Sequence, residues 1–249
     1  MKEFEQQLAT EFAGRNVVHR QSVDSTMPLA AELAAAGAPH GTLVLAEEQT
    51  AGRGRRGRSF ASPSGENLYF TLVLRLNPAQ LKPLPLVVPL AVCLAAVKQG
   101  VDARIKWPND IWVGERKLSG MLIDVDGEVA FPGIGINVNG DPTLNPELRE
   151  IATSFHRELG RRVRREELLA DICDALEQAI SMGAGELHDA YAERSMVVGR
   201  RVRVSPVGGA GPYEGIADRI EGDGTLVVAR GDGSESRATA ADVSVRPAD

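Results

Sequence analysis

The chain has 249 residues, 43% hydrophobic and 25% charged, which is enough apolar material for a real core and enough length for a large domain with a small one attached. A formal net charge of −6 excludes bulk attraction to nucleic acid, although a local basic patch can still hold phosphates. Cys93 and Cys173 stand alone in apolar helical patterns with no Cys or His at metal-ligand spacing, which excludes a disulfide framework and a zinc site.

Residues 4–13 predict a short helix and Val17-Val18-His19 a first strand. A helix rich in Ala follows, opened by Pro28 in its first turn and stopped at Gly37. Residues 42–46 and 68–76 alternate as strands do, and residues 49–64 between them form a loop dense in Gly, Arg and Ser. A loop of that length inside a compact domain is usually functional. Pro83 and Pro85 precede a long apolar helix at 86–98, with Pro89 expected in its first turn and Gly100 closing it. Strands at 103–106, 111–113, 117–125 and 129–138, with a turn at Gly114-Glu115, predict a largely antiparallel sheet, and helices follow at 166–182 and 186–194. Short apolar alternations at 202–205, 213–220, 225–229, 236–238 and 243–245 predict a small β-barrel beyond a boundary near Val198-Gly199. The expected class is therefore α+β, with one larger and one smaller domain. The first residues carry acid and no apolar signal core, and no apolar run is long enough to span a bilayer, so no membrane partner and a cytoplasmic location are expected.

Chemistry concentrates in a few segments. Gly52-Arg53-Gly54-Arg55-Arg56-Gly57-Arg58 joins glycines, which let backbone N–H groups approach an anion, to guanidinium forks that hold carboxylate or phosphate. On charge alone, a solvated basic loop or an RNA-binding tail is the preferred reading, and the rest of the sequence shifts the balance. Lys106-Trp107-Pro108-Asn109-Asp110 brings a cation, an amide and a carboxylate to one turn, able to read a base edge through Asn109 and to orient phosphates or a metal through Lys106 and Asp110. Its plain alternative is a strand end with a buried Trp and a turn-capping Asn-Asp pair. Lys117 begins a strand in which Gly120 permits close approach of a ligand, although a lone Lys there is more often a solvated edge residue. Gly133-Ile134-Gly135-Ile136-Asn137-Val138-Asn139 lacks the strand, glycine-loop and helix context of a dinucleotide fold.

Four segments, in order, resemble the biotin protein ligase family. They are Asp24-Ser25-Thr26, then Glu48-Gln49-Thr50-Ala51 with the arginine loop, then the pentapeptide 106–110, and last Lys117-Leu118-Ser119-Gly120 with the later Gly-Ile repeat. The resemblance implies a mixed-sheet catalytic domain over 1–198, akin to class II aminoacyl-tRNA synthetases, and an SH3-like barrel over 199–249. It implies biotin contacts at Ser25, Thr26, Gln49, Arg53, Gly54, Arg55 and Lys117, to which the backbone argument adds Gly120. It implies adenine contacts at Asn109 and Asn137 and an aromatic over the adenylate at Phe60; Arg55, Arg56, Arg58, Lys106 and Trp107 complete the expected ATP set. Met27 departs from the pattern, where family members often have Asn.

The implied reaction joins biotin to ATP as biotinyl-AMP with release of pyrophosphate, then passes biotin to a lysine of a carrier protein or domain of an acyl-CoA or pyruvate carboxylase. Biotin carboxylate and ATP are both anionic, so fixed positive charge and Mg²⁺ are needed. Arg55 and Lys117 are the expected catalytic cations, with Asp110 as the expected metal ligand. Two rivals are weaker. Cys-dependent lipoate or octanoate transfer needs an activated thiolate, and neither Cys has a base or cation placed for that task. A biotin-sensing repressor needs a DNA reader, and too little sequence precedes Ser25 to build one, so no DNA partner is expected.

Overall fold

A computed structural model describes residues 7–54, 60–206, 211–239 and 243–247. Seven strands, β1 (Val17–Val23), β2 (Thr42–Gln49), β3 (Leu68–Arg75), β4 (Arg104–Lys106), β5 (Asp110–Val113), β6 (Arg116–Asp126) and β7 (Val129–Ile136), form one sheet in the order β1-β2-β3-β7-β6-β5-β4. Its strand pairs are antiparallel except β1 with β2, which run parallel. A parallel pair needs a crossover, and α1 (Thr26–Ala35) supplies it.

Cross-strand partners share a face, so the register sorts the sheet. Val44, Thr71, Gly133 and Leu122 make one row and Ala46, Tyr69, Gly135, Gly120 and Asp110 the next. Val44 packs with Ala30 and Ala34 of α1 and with Val73 and Phe131, so these rows lie on the face that α1 covers. Leu45, Phe70, Ile134 and Met121 make a row on the other face, which belongs to the main core. That core includes α3 (Leu84–Lys98), buried on nearly every side, and the apolar stripe of α5 (Arg165–Ser181). A helix hydrophobic all round must lie inside, and its low content of polar residues follows.

Between these elements lie the short helices α2 (Pro78–Leu81) and α4 (Phe155–Leu159), neither predicted, and a 3-10 turn at Pro142–Leu144; α6 (Ala184–Arg194) is the last α-helix among the described residues. A second sheet, antiparallel in the order β11-β10-β9-β8-β12, is built from β8 (Arg201–Pro206), β9 (Tyr213–Ile220), β10 (Leu226–Ala229), β11 (Glu235–Ala238) and β12 (Val243–Pro247). Val202, Val204, Ala217, Leu226 and Val228 join its interior to the main core. The α+β class is thus observed, with a large mixed sheet and a small antiparallel one.

Two local expectations fail. The predicted helix at 4–13 lies partly outside the described residues, and residues 8–13 are not helical. There the Glu177 carboxylate accepts the backbone N–H groups of Glu11 at 2.8 Å and of Phe12 and Ala13 at 2.7 Å each, satisfying donors that local sequence alone leaves open. The long apolar helix starts two residues early, at Leu84, with Pro85 in its first turn, so Pro89 falls beyond that turn. No helix among the described residues is long and apolar enough to cross a membrane.

Candidate active site

The face under α1 has a floor where the two rows cross β6 and β7, and three of its four positions are glycine, Leu122 being the fourth. At Gly133 an added methyl would lie 2.6 Å from Met27 Cγ and Sδ, at Gly135 2.5 Å from the Phe60 ring, and at Gly120 2.6 Å from Lys117 Nζ. These glycines leave room for three side chains close against the sheet, and a ligand has the same close access.

One end of this floor is polar and uncharged. The Gln49 Oε1 atom accepts from Thr26 N at 3.0 Å and from Thr26 Oγ1 at 3.2 Å, and Thr26 Oγ1 meets Thr71 Oγ1 at 2.8 Å. Gln49 Nε2 donates to Ser62 Oγ at 3.1 Å, whose hydroxyl donates to the Phe60 carbonyl at 3.0 Å. Thr26 and Ser25 are brought here by the start of α1, where both are buried. The chain after β2 is tied back to them, since Thr50 Oγ1 donates to Asp24 Oδ1 at 2.8 Å and Ala51 N to the Asp24 carbonyl at 2.9 Å. Gly52 is required for this packing: a methyl there would lie 2.5 Å from the Phe60 carbonyl oxygen and 2.8 Å from Ser62 Oγ. Arg53 is exposed, and Gly54 follows it, half-buried.

The other end is charged. Lys117 Nζ lies 2.7 Å from Asp110 Oδ1 and 5.9 Å from the Phe60 ring centroid. Lys117 is anchored through its backbone, which accepts from Thr153 N at 2.9 Å and donates to the Ile151 carbonyl at 2.8 Å. Phe60 stands edge-on to the buried Tyr69, with centroids 6.4 Å apart, so the ring has a fixed wall behind it.

The expected adenine readers are engaged with backbone. Asn109 donates its amide to the Met121 carbonyl, and Asn137 donates its amide to the Thr153 carbonyl at 3.0 Å. Lys106 Nζ sits 3.4 Å from the centroid of the Trp112 ring. Trp107 is a core residue, as either reading of its motif allows: it is 2% exposed and its Nε1 donates to the Gly224 carbonyl at 2.8 Å, so a large apolar ring is buried with its one donor satisfied. Arg55, Arg56 and Arg58 lie outside the described residues. Thr71, Ser62 and Tyr69 were not singled out in the sequence, although alternation along β3 puts Tyr69 and Thr71 on one face.

No group of three or more His, Cys, Asp or Glu side chains able to hold a metal is present among the described residues. Asp110 offers a single carboxylate, which fits a Mg²⁺ held chiefly by substrate phosphates better than a resident metal.

Known proteins resemble this chain in sequence and in fold. The model of the biotin/lipoate A/B protein ligase family matches residues 14–141. The biotin–[acetyl-CoA-carboxylase] ligase of Paracoccus denitrificans is 33% identical, over 82% of this chain and 90% of that protein. The bifunctional ligase/repressor BirA of Bacillus subtilis is also 33% identical, over 91% of this chain and 73% of that one. Biotin protein ligase from Aquifex aeolicus in complex with biotin and ATP superposes with a TM-score of 0.78 at 27% identity, covering 94% of this chain and all of that one. A site of Ser-Thr and Gln beside a glycine floor and a lysine, on this sheet, with these relatives, makes the chain a member of the biotin/lipoate A/B protein ligase family.

Proposed function

We infer that this chain is an ATP-dependent biotin protein ligase, forming biotinyl-5′-AMP from biotin and ATP and transferring the biotin to a lysine of a biotin carboxyl carrier. The carrying observation is the floor of Gly120, Gly133 and Gly135, bounded by an uncharged hydrogen-bonding cluster at one end and a lysine at the other. Biotin has the same polarity, with a neutral ureido ring at one end and a carboxylate at the other.

Thr26, Gln49 and Thr71 suit the ureido ring, since together they offer donors and acceptors without charge. Lys117 suits the carboxylate and the α-phosphate it attacks, stabilising negative charge that both reactants bring. Phe60 lies over the floor beside Lys117, and an aromatic face there suits the adenylate. Ser25, Arg53, Gly54 and Arg55 extend the biotin contacts, while Arg56, Arg58, Lys106, Asn109 and Asn137 extend those to ATP. Mg²⁺ arriving with ATP would be held by Asp110 and would neutralise phosphate charge. The arginine loop, by covering the mixed anhydride, would exclude water from it. In the second step a neutral carrier lysine attacks the acyl carbonyl while AMP leaves, and no protein nucleophile is needed.

The same proposal includes residues 1–198 as the catalytic domain and residues 199–249 as an SH3-like barrel, supported by five short antiparallel strands, four of which give side chains to a shared interior. It includes carriers of acyl-CoA and pyruvate carboxylases, a cytoplasmic location, and no DNA partner, the last supported by the net charge of −6.

The Cys-dependent rival finds no support in the thiols. Cys93 is buried, donates to the Ala103 carbonyl at 3.3 Å, and burial pushes its pKa up to about 12. The deciding assay is pyrophosphate release with biotin, lipoate and octanoate in parallel, followed by labelling of a carrier lysine. Release with biotin alone is the expected result, and preference for either other acid overturns the reading.

A further inference from the structure

Met27 occupies the place where the resembled family often has Asn, and its side chain makes the contact that closes the floor at its ureido end. Its Cγ and Sδ lie on Gly133, next to Thr71, whose hydroxyl meets that of Thr26. Beyond it the same sheet face continues to Phe131 and Val129, and there an open groove of about 510 Å³ runs between α1 and the β6–β7 hairpin. The groove is lined by Met27, Ala31, Arg53, Asp124, Val129 and Phe131 among others. Met27 therefore has one side on the slot and one on the groove, and it is 6% exposed. A thioether is the flexible kind of wall that fits itself to an irregular gap.

Resting on the biotin ligase reading, we propose that Met27 is the specificity-determining wall of the ureido end, and that shortening it joins the slot to the groove. The groove then has room for a group added to the ureido ring, whereas the carboxylate end, held by Lys117 on Gly120, is untouched. The outcome is a change in which analogues are accepted that depends on where the analogue is enlarged.

The test compares biotin, a ureido N-methyl biotin and a biotin homologue with one extra methylene in the acid chain. Pyrophosphate release gives kcat/KM for each with the wild-type chain and with Met27→Ala and Met27→Ser, two variants so that misfolding of one leaves the other readable. Pocket discrimination over a methyl group is about tenfold or more, and the ratio of N-methyl biotin to biotin is expected to rise by about that factor in the shortened variants. The ratio for the chain-extended homologue is expected to stay constant. Unchanged ratios for both analogues, or equal rises for both, would overturn the assignment of Met27. A wild-type chain that activates no biotin would instead sink the ligase reading itself.

Discussion

Lys117 reaches across the bare face of Gly120 to place its Nζ 2.7 Å from Asp110 Oδ1, although the two residues start on different strands. The pairing of Asp110 with Gly120 in the β5–β6 ladder makes this possible, since any side chain at Gly120 would stand where the lysine lies. An ammonium held this way is available at the charged end of the slot without having to be ordered by substrate.

Lys117→Gln should slow biotinyl-AMP formation about a hundredfold, the usual scale for removing a charge that acts mainly in the transition state. Asp110→Asn should also slow it, since it loosens the lysine and removes the carboxylate proposed for Mg²⁺, and only the second part of that loss should shrink as Mg²⁺ is raised. Single-turnover pyrophosphate release on both variants across a Mg²⁺ titration checks this, and an Asp110→Asn loss that does not respond to Mg²⁺ would leave the carboxylate only its contact with Lys117.

Two glycine substitutions should separate function from stability. In Gly120→Ala the new methyl meets first the end of a flexible lysine, with Asp110 Oδ1 at an ordinary 3.4 Å, so the thermal midpoint should hardly move while adenylation falls. In Gly215→Ala the methyl meets the Ala229 backbone carbonyl, which cannot step aside, so stability should fall with little direct effect on the site. Calorimetry and steady-state kinetics on the pair decide it.

Arg55→Ala, in the arginine loop, should slow adenylate formation by about a hundredfold and shorten the lifetime of bound biotinyl-AMP. Release of the intermediate measured without carrier gives the second quantity. Near-normal values for both would mean that the loop is only a solvated basic segment.

Glu47 links His19 Nε2, at 2.8 Å, to Arg165 Nη1, at 2.9 Å, joining β1, β2 and α5. Burial works to raise the Glu47 pKa, but hydrogen bonds and charge from Arg165 and His19 outweigh it and hold the carboxyl below its usual range. A depressed carboxylate contributes stability that is present above its unfolded pKa and is lost as pH falls through the lower folded value. Glu47→Gln should therefore lower the midpoint of denaturation at neutral pH and flatten its decline in acid. Urea titrations at about pH 7 and about pH 3.5, on either side of the ordinary Glu value, test this. An acid limb as steep as that of the wild type would contradict it.

Both thiols should be inert in the folded chain, since Cys93 and Cys173 are buried and burial raises both pKa values. An aromatic disulfide reagent should label neither until denaturant is added. Activity should survive the treatment. Rapid native labelling with inactivation would revive a thiol mechanism.

Much of this protein follows from the order of its residues. Near-continuous apolar runs set β3 and β7, which are buried on both faces, period-two alternation sets β8, and the apolar surface of α3 requires it to lie inside. The segments at 24–26, 49–58, 106–110 and 117–120 also declare themselves, since their chemistry is local and their residue types are unusual together. Tertiary structure decided what depends on distant partners. Residues 8–13 are bound by Glu177, so their helical pattern is not used. Trp107 goes to the core because Gly224, far along the chain, offers its indole an acceptor. Thr71 enters the site because register sets it beside Gly133 and opposite the start of α1, and Met27 becomes a wall because that same glycine leaves it room. Register and long-range hydrogen bonding join residues that no local pattern relates, and the geometry of the site is made of such pairs.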